Sequence, residues 1–286
     1  MLTTFSIVAA DPQTGEIGVA VQSKFLSVGA VVPWVRAGVG AIATQAFANT
    51  AYGPRALDLL AAGAQPDHVA HELVAGDDGR ADRQFGIVDA SGRASSCTGE
   101  KCIPWAGGIA GPLFAAQGNC LAGPAVVDAL ASTFQTTSGA LADRLVAALR
   151  AAQSAGGDKR GQQSAALIIE KPAGGYAGFN DRYVDLRVDD HCAPIEELAR
   201  LLDLHKLYFF PAQPQDVLPI DEGLGREIAR ELVRVGALDS GERYDDRARD
   251  ALVAFMHVEN LENRVRDDGA IDRQTLDYLR ACKRNG

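Results

Sequence analysis

Cysteine is scarce in this chain, with five in 286 residues. So sparse and odd a count excludes a disulfide-stapled scaffold and suits the reduced thiols of a cytosolic protein. Cys97 and Cys102 form the one close pair, with Cys120 and the His191-Cys192 dipeptide further on. That spacing matches no common zinc pattern. The cysteines read instead as small buried apolar residues, and neither a metal nor another cofactor is expected. Basic runs are missing too: 28 Lys and Arg stand against 37 Asp and Glu, for a formal net charge of −9. Without a basic stripe there is no counterion release to gain from a phosphate backbone, which argues against a nucleic-acid partner. No uninterrupted apolar stretch approaches the roughly 20 residues that cross a bilayer, so no membrane partner is expected. The amino terminus shows no basic segment leading into an apolar core. The expected location is therefore cytoplasmic.

What the chain does have is 47% hydrophobic residues and only 23% charged ones, enough to bury a sizeable core. The charge is uneven: residues 211–286 hold 12 of the Lys and Arg and 16 of the Asp and Glu. The stretch Phe210-Pro211-Ala212-Gln213-Pro214 reads as a linker. It predicts a first domain over 1–210 and a small helical domain over 211–286, with helices near 221–235, 243–258 and 272–283. Asp272 is the natural N-cap of the last helix.

The first domain opens on strands. Thr4–Ala10 reads as one, the turn Asp11-Pro12-Gln13-Thr14-Gly15 follows, and Ile17–Val21 reads as a second, closed by Gln22-Ser23-Lys24. The apolar runs Val28–Val32 and Val39–Thr44 complete a four-strand opening. Helices are predicted at 52–62 and 66–74, and strands return at 84–88 and 93–96. The Gly/Pro-rich stretch 103–123 holds short strands, and helices follow at 125–134 and 139–152. Strands at 164–170 and 182–188 and a helix from 194 to 206 complete the domain. Grouped strands and paired helices point to α+β architecture with two stacked sheets, not to a doubly wound sheet.

A hydroxyl residue at the start of the opening strand, with a lysine just past the next strand, is a layout suited to an N-terminal nucleophile. There the chain's own α-amine, with an ordinary pKa near 8, acts as the base. The stretches TFSIVAADPQTGEIGVAVQSKFLSVGAVVPW, RAGVGAIATQAFAN with YGPRALDLL, TGEKCIPWAGG, QGNCLAG and RYVDLRVDDH occur in that order. Over residues 1 to about 206 they resemble the bacterial DUF1028 family of the Ntn-hydrolase superfamily. The resemblance implies a four-layer αββα sandwich and, at superfamily level, hydrolysis of an amide bond in a small or peptide-like substrate. The tail, through YDDRARDALVAFMHVENLENRVRDDGAIDRQTLDYLR, is similar to a peptidoglycan-binding-like module, so a cell-wall glycan is a candidate partner, set against the absence of an export signal.

Thr4 matches the family's opening segment, but here Leu2 follows Met1. Initiator-methionine removal needs a small second residue, so Thr3 or Thr4 is expected to become terminal only by self-cleavage or another protease. Thr4, Ser6, Lys24 and Asn119 are the candidate catalytic residues. Lys24 would lower the proton affinity of the nucleophile and amine, and Asn119, in Gln117-Gly118-Asn119, could donate to an oxyanion. Thr44, Gln45, Asp190 and His191 are the candidate substrate-binding residues. Against these stand plainer readings. The hydroxyls are common in strands, Asn49 or Thr50 can cap the following helix, Asn119 fits a turn, and an acid of Asp189-Asp190-His191 can cap the helix at 194. A strand end sends alternate residues to opposite faces, so Asp190 or the Asp189/His191 pair, but not all three, is expected to point inward. A non-catalytic fold that binds a small metabolite is the other reading of the domain. Trp34 and Trp105 each follow a proline in an uncharged run. One of them is expected to anchor a homodimer contact near the cleft mouth, the alternative being burial of both in the monomer core.

Overall fold

The computed structural model describes residues 3–283. Met1 and Leu2, on which the processing expectation falls, lie outside the described residues. The chain divides between Leu202 and Asp203 into two compact units.

The N-terminal unit begins with β1 (Thr4–Asp11) and β2 (Glu16–Ser23), an antiparallel hairpin pairing Thr4 with Ser23 and Asp11 with Glu16. Its turn closes through the Gly15 amide on the Asp11 carbonyl at 2.9 Å, with Gly15 at φ 76° where a side chain would strain. The chain continues as β3 (Pro33–Arg36), β4 (Gly40–Ala46), α1 (Tyr52–Ala61), α2 (Pro66–Ala75), β5 (Arg83–Asp89) and β6 (Ala94–Thr98). β7 (Gly107–Gly111), β8 (Phe114–Gly118), α3 (Ala125–Thr136), α4 (Leu141–Ser154), β9 (Ser164–Glu170), β10 (Arg182–Val188) and α5 (Pro194–Phe209) follow. One sheet runs β10-β9-β2-β1-β8-β7 and the other β3-β4-β5-β6. α3 and α4 cover the first sheet, α1 and α2 the second, and the two sheets face each other. This is the four-layer αββα sandwich.

Alternation along β1 explains the layering. Val8 and Ala10 enter the core between the sheets with Val19, Val21, Ala41, Ala43 and Val88. Phe5, Ile7 and Ala9, on the opposite face of the strand, are also fully buried. A strand apolar on both faces is what a middle layer requires.

The expected strand at Val28–Val32 is not one. Val28–Ala30 is a single 3-10 turn entered through Ser27 at φ 54°, and the third strand is Pro33–Arg36. The chain crosses here from the first sheet to the second. Val28 and Val32 drop into the inter-sheet core, so burial rather than ladder pairing fixes these valines. Pro33 then starts an edge strand, where its missing N–H costs nothing.

The C-terminal unit contains β11 (Val217–Pro219), α6 (Glu222–Val235), α7 (Asp246–Val258), β12 (Ala270–Asp272) and α8 (Arg273–Ala281). Asp221, Asp245 and Asp272 each cap a helix by accepting from an amide of its first turn. The β11–β12 ribbon is a feature the helical reading of the tail did not contain. Leu207, Ile228, Leu232, Leu252, Phe255 and Leu276 belong to its core. No described helix is long and apolar enough to cross a membrane.

Candidate active site at the start of the first strand

The hairpin register sets Thr4 opposite Ser23 and Ser6 opposite Val21. Thr4, Ser6 and Ser23 are fully buried. The Thr4 hydroxyl donates to Ser23 Oγ at 3.1 Å, and Ser23 Oγ donates onward to the Thr3 carbonyl at 2.6 Å. The Thr3 carbonyl belongs to the peptide bond that joins Thr3 to Thr4. It also accepts, at a longer 3.5 Å, from the Arg160 guanidinium. Arg160 in turn donates to the Lys24 carbonyl at 3.1 Å and to Asp158 at 3.4 Å.

Asp158 organises this corner. Its side chain is fully buried. One carboxylate oxygen accepts from the Thr3 hydroxyl at 2.6 Å and from the Lys24 amide at 3.3 Å, the other from the Arg160 amide at 2.9 Å. A buried carboxylate with this many donors is the arrangement that makes burial of the charge tolerable.

A second, uncharged network lies between the sheets. The Ser6 hydroxyl donates to Gln45 Oε1 at 2.6 Å and accepts from Gln117 Nε2 at 2.7 Å. Gln45 Nε2 and Asn119 Nδ2 both donate to Gln84 Oε1 at 2.9 Å. Gln84 Nε2 spans to the Gly118 carbonyl, the Thr98 hydroxyl and the Gly107 carbonyl at 2.8, 3.0 and 3.2 Å. Gly86 makes room for this cluster, because a Cβ there would stand 2.0 Å from Gln117 Oε1. Thr98 and Gly107 also line an open cavity of about 490 Å³ together with Ser96, Glu100, Cys102 and Gly108. The Cys102 thiol is pushed up to about 11, chiefly by burial, and is therefore a poor nucleophile.

The structure brings Thr4, Ser6, Gln45 and Asn119 to this buried end of the sandwich. It separates the others. The Lys24 side chain is exposed, with Nζ donating to the Gln162 carbonyl at 3.3 Å, so its contact with the corner is its backbone amide. The Thr44 hydroxyl donates to the Asn49 carbonyl. Asn49, not Thr50, meets the amide of Ala51 ahead of α1. Asp189, Asp190 and His191 are all exposed, so none of the three points inward. Asp190 accepts from Gln163, and His191 Nδ1 accepts from the Ala193 amide, so the histidine rather than an acid serves the entry to α5. Trp34 is half-buried, donating to the Val31 carbonyl and lying over Gly53 of α1, and Trp105 is half-buried near Gly107.

Sequence reasoning missed Ser23 as a partner, although it stands opposite Thr4 once the turn is centred on Gln13-Thr14. It also missed Gln84, Gln117, Asp158 and Arg160. Asp158 and Arg160 sit in the glycine-flanked loop GGDKRG, with no local signal beyond its turn chemistry.

Residues 4–198 match the family of unknown function DUF1028. The chain belongs to the DUF1028 family. Residues 208–279 match a second family model, described as a "putative peptidoglycan binding domain". Among solved structures, the chain is similar to a DUF1028-family protein from Silicibacter pomeroyi. The two share 32% identity with a TM-score of 0.67, over 73% of this chain and 88% of that one. None of the curated proteins matches the chain.

Proposed function

We propose that this protein is an amidohydrolase of the Ntn type whose nucleophile is the Thr4 hydroxyl, made N-terminal by cleavage of its own Thr3–Thr4 bond. One observation carries the reading: a single buried hydroxyl, Ser23 Oγ, touches both the Thr4 hydroxyl and the carbonyl oxygen of the preceding residue. A nucleophile and a polarised carbonyl joined by one donor are the two halves of an acyl transfer.

In the first turnover Thr4 Oγ1 adds to the Thr3 carbonyl carbon, with Ser23 and Arg160 donating to the oxygen. The C–N bond breaks, the hydroxyl proton passes to the Thr4 nitrogen, and Thr3 is left as an ester on Oγ1. Water then adds to the ester carbon and returns a proton to Oγ1, so one water is consumed and everything ahead of Thr4 leaves as a carboxylate. The freed Thr4 amine becomes the base for later substrates. Substrate amides follow the same course: acyl transfer to Oγ1, release of an amine, and hydrolysis of the ester. Ser6 lies in a network of neutral amides with no titratable group to take its proton, so in this reading it holds β1 in place and does not react.

Intact-mass measurement of the purified chain tests the proposal. The expected mass lacks all residues before Thr4, Thr4→Ser is processed, and Thr4→Ala keeps the full mass and releases no amine. Processing in Thr4→Ala would transfer the cut to another protease and remove the support for self-cleavage.

A second reading concerns the C-terminal unit and rests on the match at 208–279: it holds the enzyme on a peptidoglycan-like polymer. Full-length protein is then expected to sediment with purified peptidoglycan and to stay in solution with chitin. Equal sedimentation with both would dispose of it.

A further inference from the structure

The residue ahead of the nucleophile is held as a substrate would be. Thr3 is 1% exposed, and its carbonyl and its hydroxyl are both engaged. Its carbonyl takes the Ser23 hydroxyl and the Arg160 guanidinium, and its side-chain hydroxyl donates to the buried Asp158 carboxylate at 2.6 Å. If Thr4 cleaves its own bond, the acyl group it transfers first is Thr3. The same hydroxyl attacks every later amide, so the later acyl groups meet the same donors. The leaving of Thr3 vacates a pocket whose wall carries a charged acceptor with one donor removed.

We propose that the pocket vacated by Thr3 is the acyl-side specificity site, and that the substrates are amides of a hydroxyl-bearing aminoacyl unit, threonyl or seryl, selected by Asp158. The inference rests on the reading of Thr4 as the nucleophile. The chemistry behind it is the cost of removing the shortest donor from a buried carboxylate. Without Thr3, Asp158 keeps the Lys24 amide and the Arg160 guanidinium on the oxygen that held Thr3, at 3.3 and 3.4 Å, and the Arg160 amide on the other, none as short as the 2.6 Å bond from the Thr3 hydroxyl. An acyl unit of the same shape without a hydroxyl would press an apolar methyl against that oxygen and leave it short of a donor. Sites built to hydrogen-bond a substrate hydroxyl reject the analogue lacking it far more strongly than apolar pockets reject a missing methylene. Valine is that analogue, because it matches threonine in shape and lacks only the donor. Asp158 is thus a specificity-determining residue, and Ser23 and Arg160 serve the carbonyl whichever side chain is present.

The test uses mature full-length enzyme with N-acetyl-L-threonyl-, N-acetyl-L-seryl- and N-acetyl-L-valyl-p-nitroanilide. Expected is a kcat/KM for the threonyl and seryl amides at least about 100-fold above that for the valyl amide. In Asp158→Asn, whose amide oxygen accepts only a neutral hydrogen bond, the preference is expected to shrink to about tenfold. A Thr3→Val chain is expected to release its leader more slowly than wild type by mass spectrometry, a measurement that needs no Asp158 variant to fold. Processed enzyme that hydrolyses the valyl amide as fast as the threonyl one overturns the specificity site and leaves the Thr4 reading standing. A chain never cut ahead of Thr4 that hydrolyses none of the three amides overturns both.

Discussion

At the scale of single residues, the interior of the sandwich holds two polar groupings of different kinds. Around Thr4 they are charged groups and hydroxyls: Asp158, Arg160, and the side chains of Thr3, Thr4 and Ser23. Around Ser6 they are neutral amides, of which Gln45 and Gln84 make several bonds each, while Gln117 and Asn119 use only their nitrogens. Gln84 is the hub of the second grouping, fully buried and joining Gln45, Asn119, Thr98 and two backbone carbonyls. Gln84→Ala strands the buried Asn119 donor, leaves Gln45 Nε2 only its longer bonds to the Thr4 and Gln117 carbonyls at 3.3 and 3.5 Å, and removes the donor serving the Gly118 carbonyl. At roughly 1–3 kcal/mol for each group left unsatisfied, a loss of about 4 kcal/mol is expected in urea denaturation. A loss below about 1 kcal/mol would mean that water replaces the amide and that the network is not structural. The sequence made part of this legible. Thr4, Ser6, Gln45 and Asn119 stand in or just past strands whose turns and alternation are visible. Gln84, Gln117 and Asp158 were not legible, because their partners lie 39, 111 and 155 residues away. Nothing local distinguishes a glutamine inside a sandwich from one on an exposed strand face.

At the scale of elements, strands β9 and β10 match the ranges read from hydrophobic patterning, and the helices differ by only a few residues at their ends. The patterning failed where the chain crosses between sheets. Val28 and Val32 are apolar because the crossover plugs the core, and alternation cannot distinguish a plug from a strand. The crossover delivers Trp34 of β3 against α1, where a Cβ on Gly53 would stand 2.1 Å from the indole. Two effects oppose each other in Gly53→Ala. Alanine favours a helix interior over glycine by about 1 kcal/mol, and the gain is smaller here, at the second residue of α1. Overpacking of a side chain against a fused ring costs about 1–3 kcal/mol. The indole has little freedom to retreat, since its Nε1 is tied to the Val31 carbonyl. Net destabilisation of about 1–2 kcal/mol is therefore expected, with a change in tryptophan fluorescence. A stabilised Gly53→Ala protein would show that α1 slides freely on the sheet.

At the scale of the whole molecule, the chain forms two compact units, and each has its own way of satisfying buried polar groups. The C-terminal core is built around one ion pair. Arg264 Nη1 meets Asp272 Oδ1 at 2.7 Å, with both side chains 1% exposed. Arg264 also donates to the carbonyls of Lys206, Leu207 and Phe210, tying the end of α5 to the ribbon and the last helix. Asp272 does double duty, because it caps α8 through the Thr275 amide and hydroxyl at 3.1 and 2.6 Å. Asp272→Ala therefore removes a cap and leaves a guanidinium buried without its counterion. Breaking such a pair costs about 3–5 kcal/mol, and in a unit of this size each kcal/mol lowers the melting temperature by roughly 4–8 °C. Calorimetry of the full chain is expected to show the transition of the C-terminal unit falling by at least about 12 °C. The cleavage proposed ahead of Thr4, followed by intact mass on the same sample, is expected to match wild type, since no residue of the Thr4 corner belongs to that core. Loss of that processing in Asp272→Ala alone would show that the Thr4 corner depends on the C-terminal unit. A shift of less than about 4 °C would mean that Arg264 is satisfied by its three carbonyls alone.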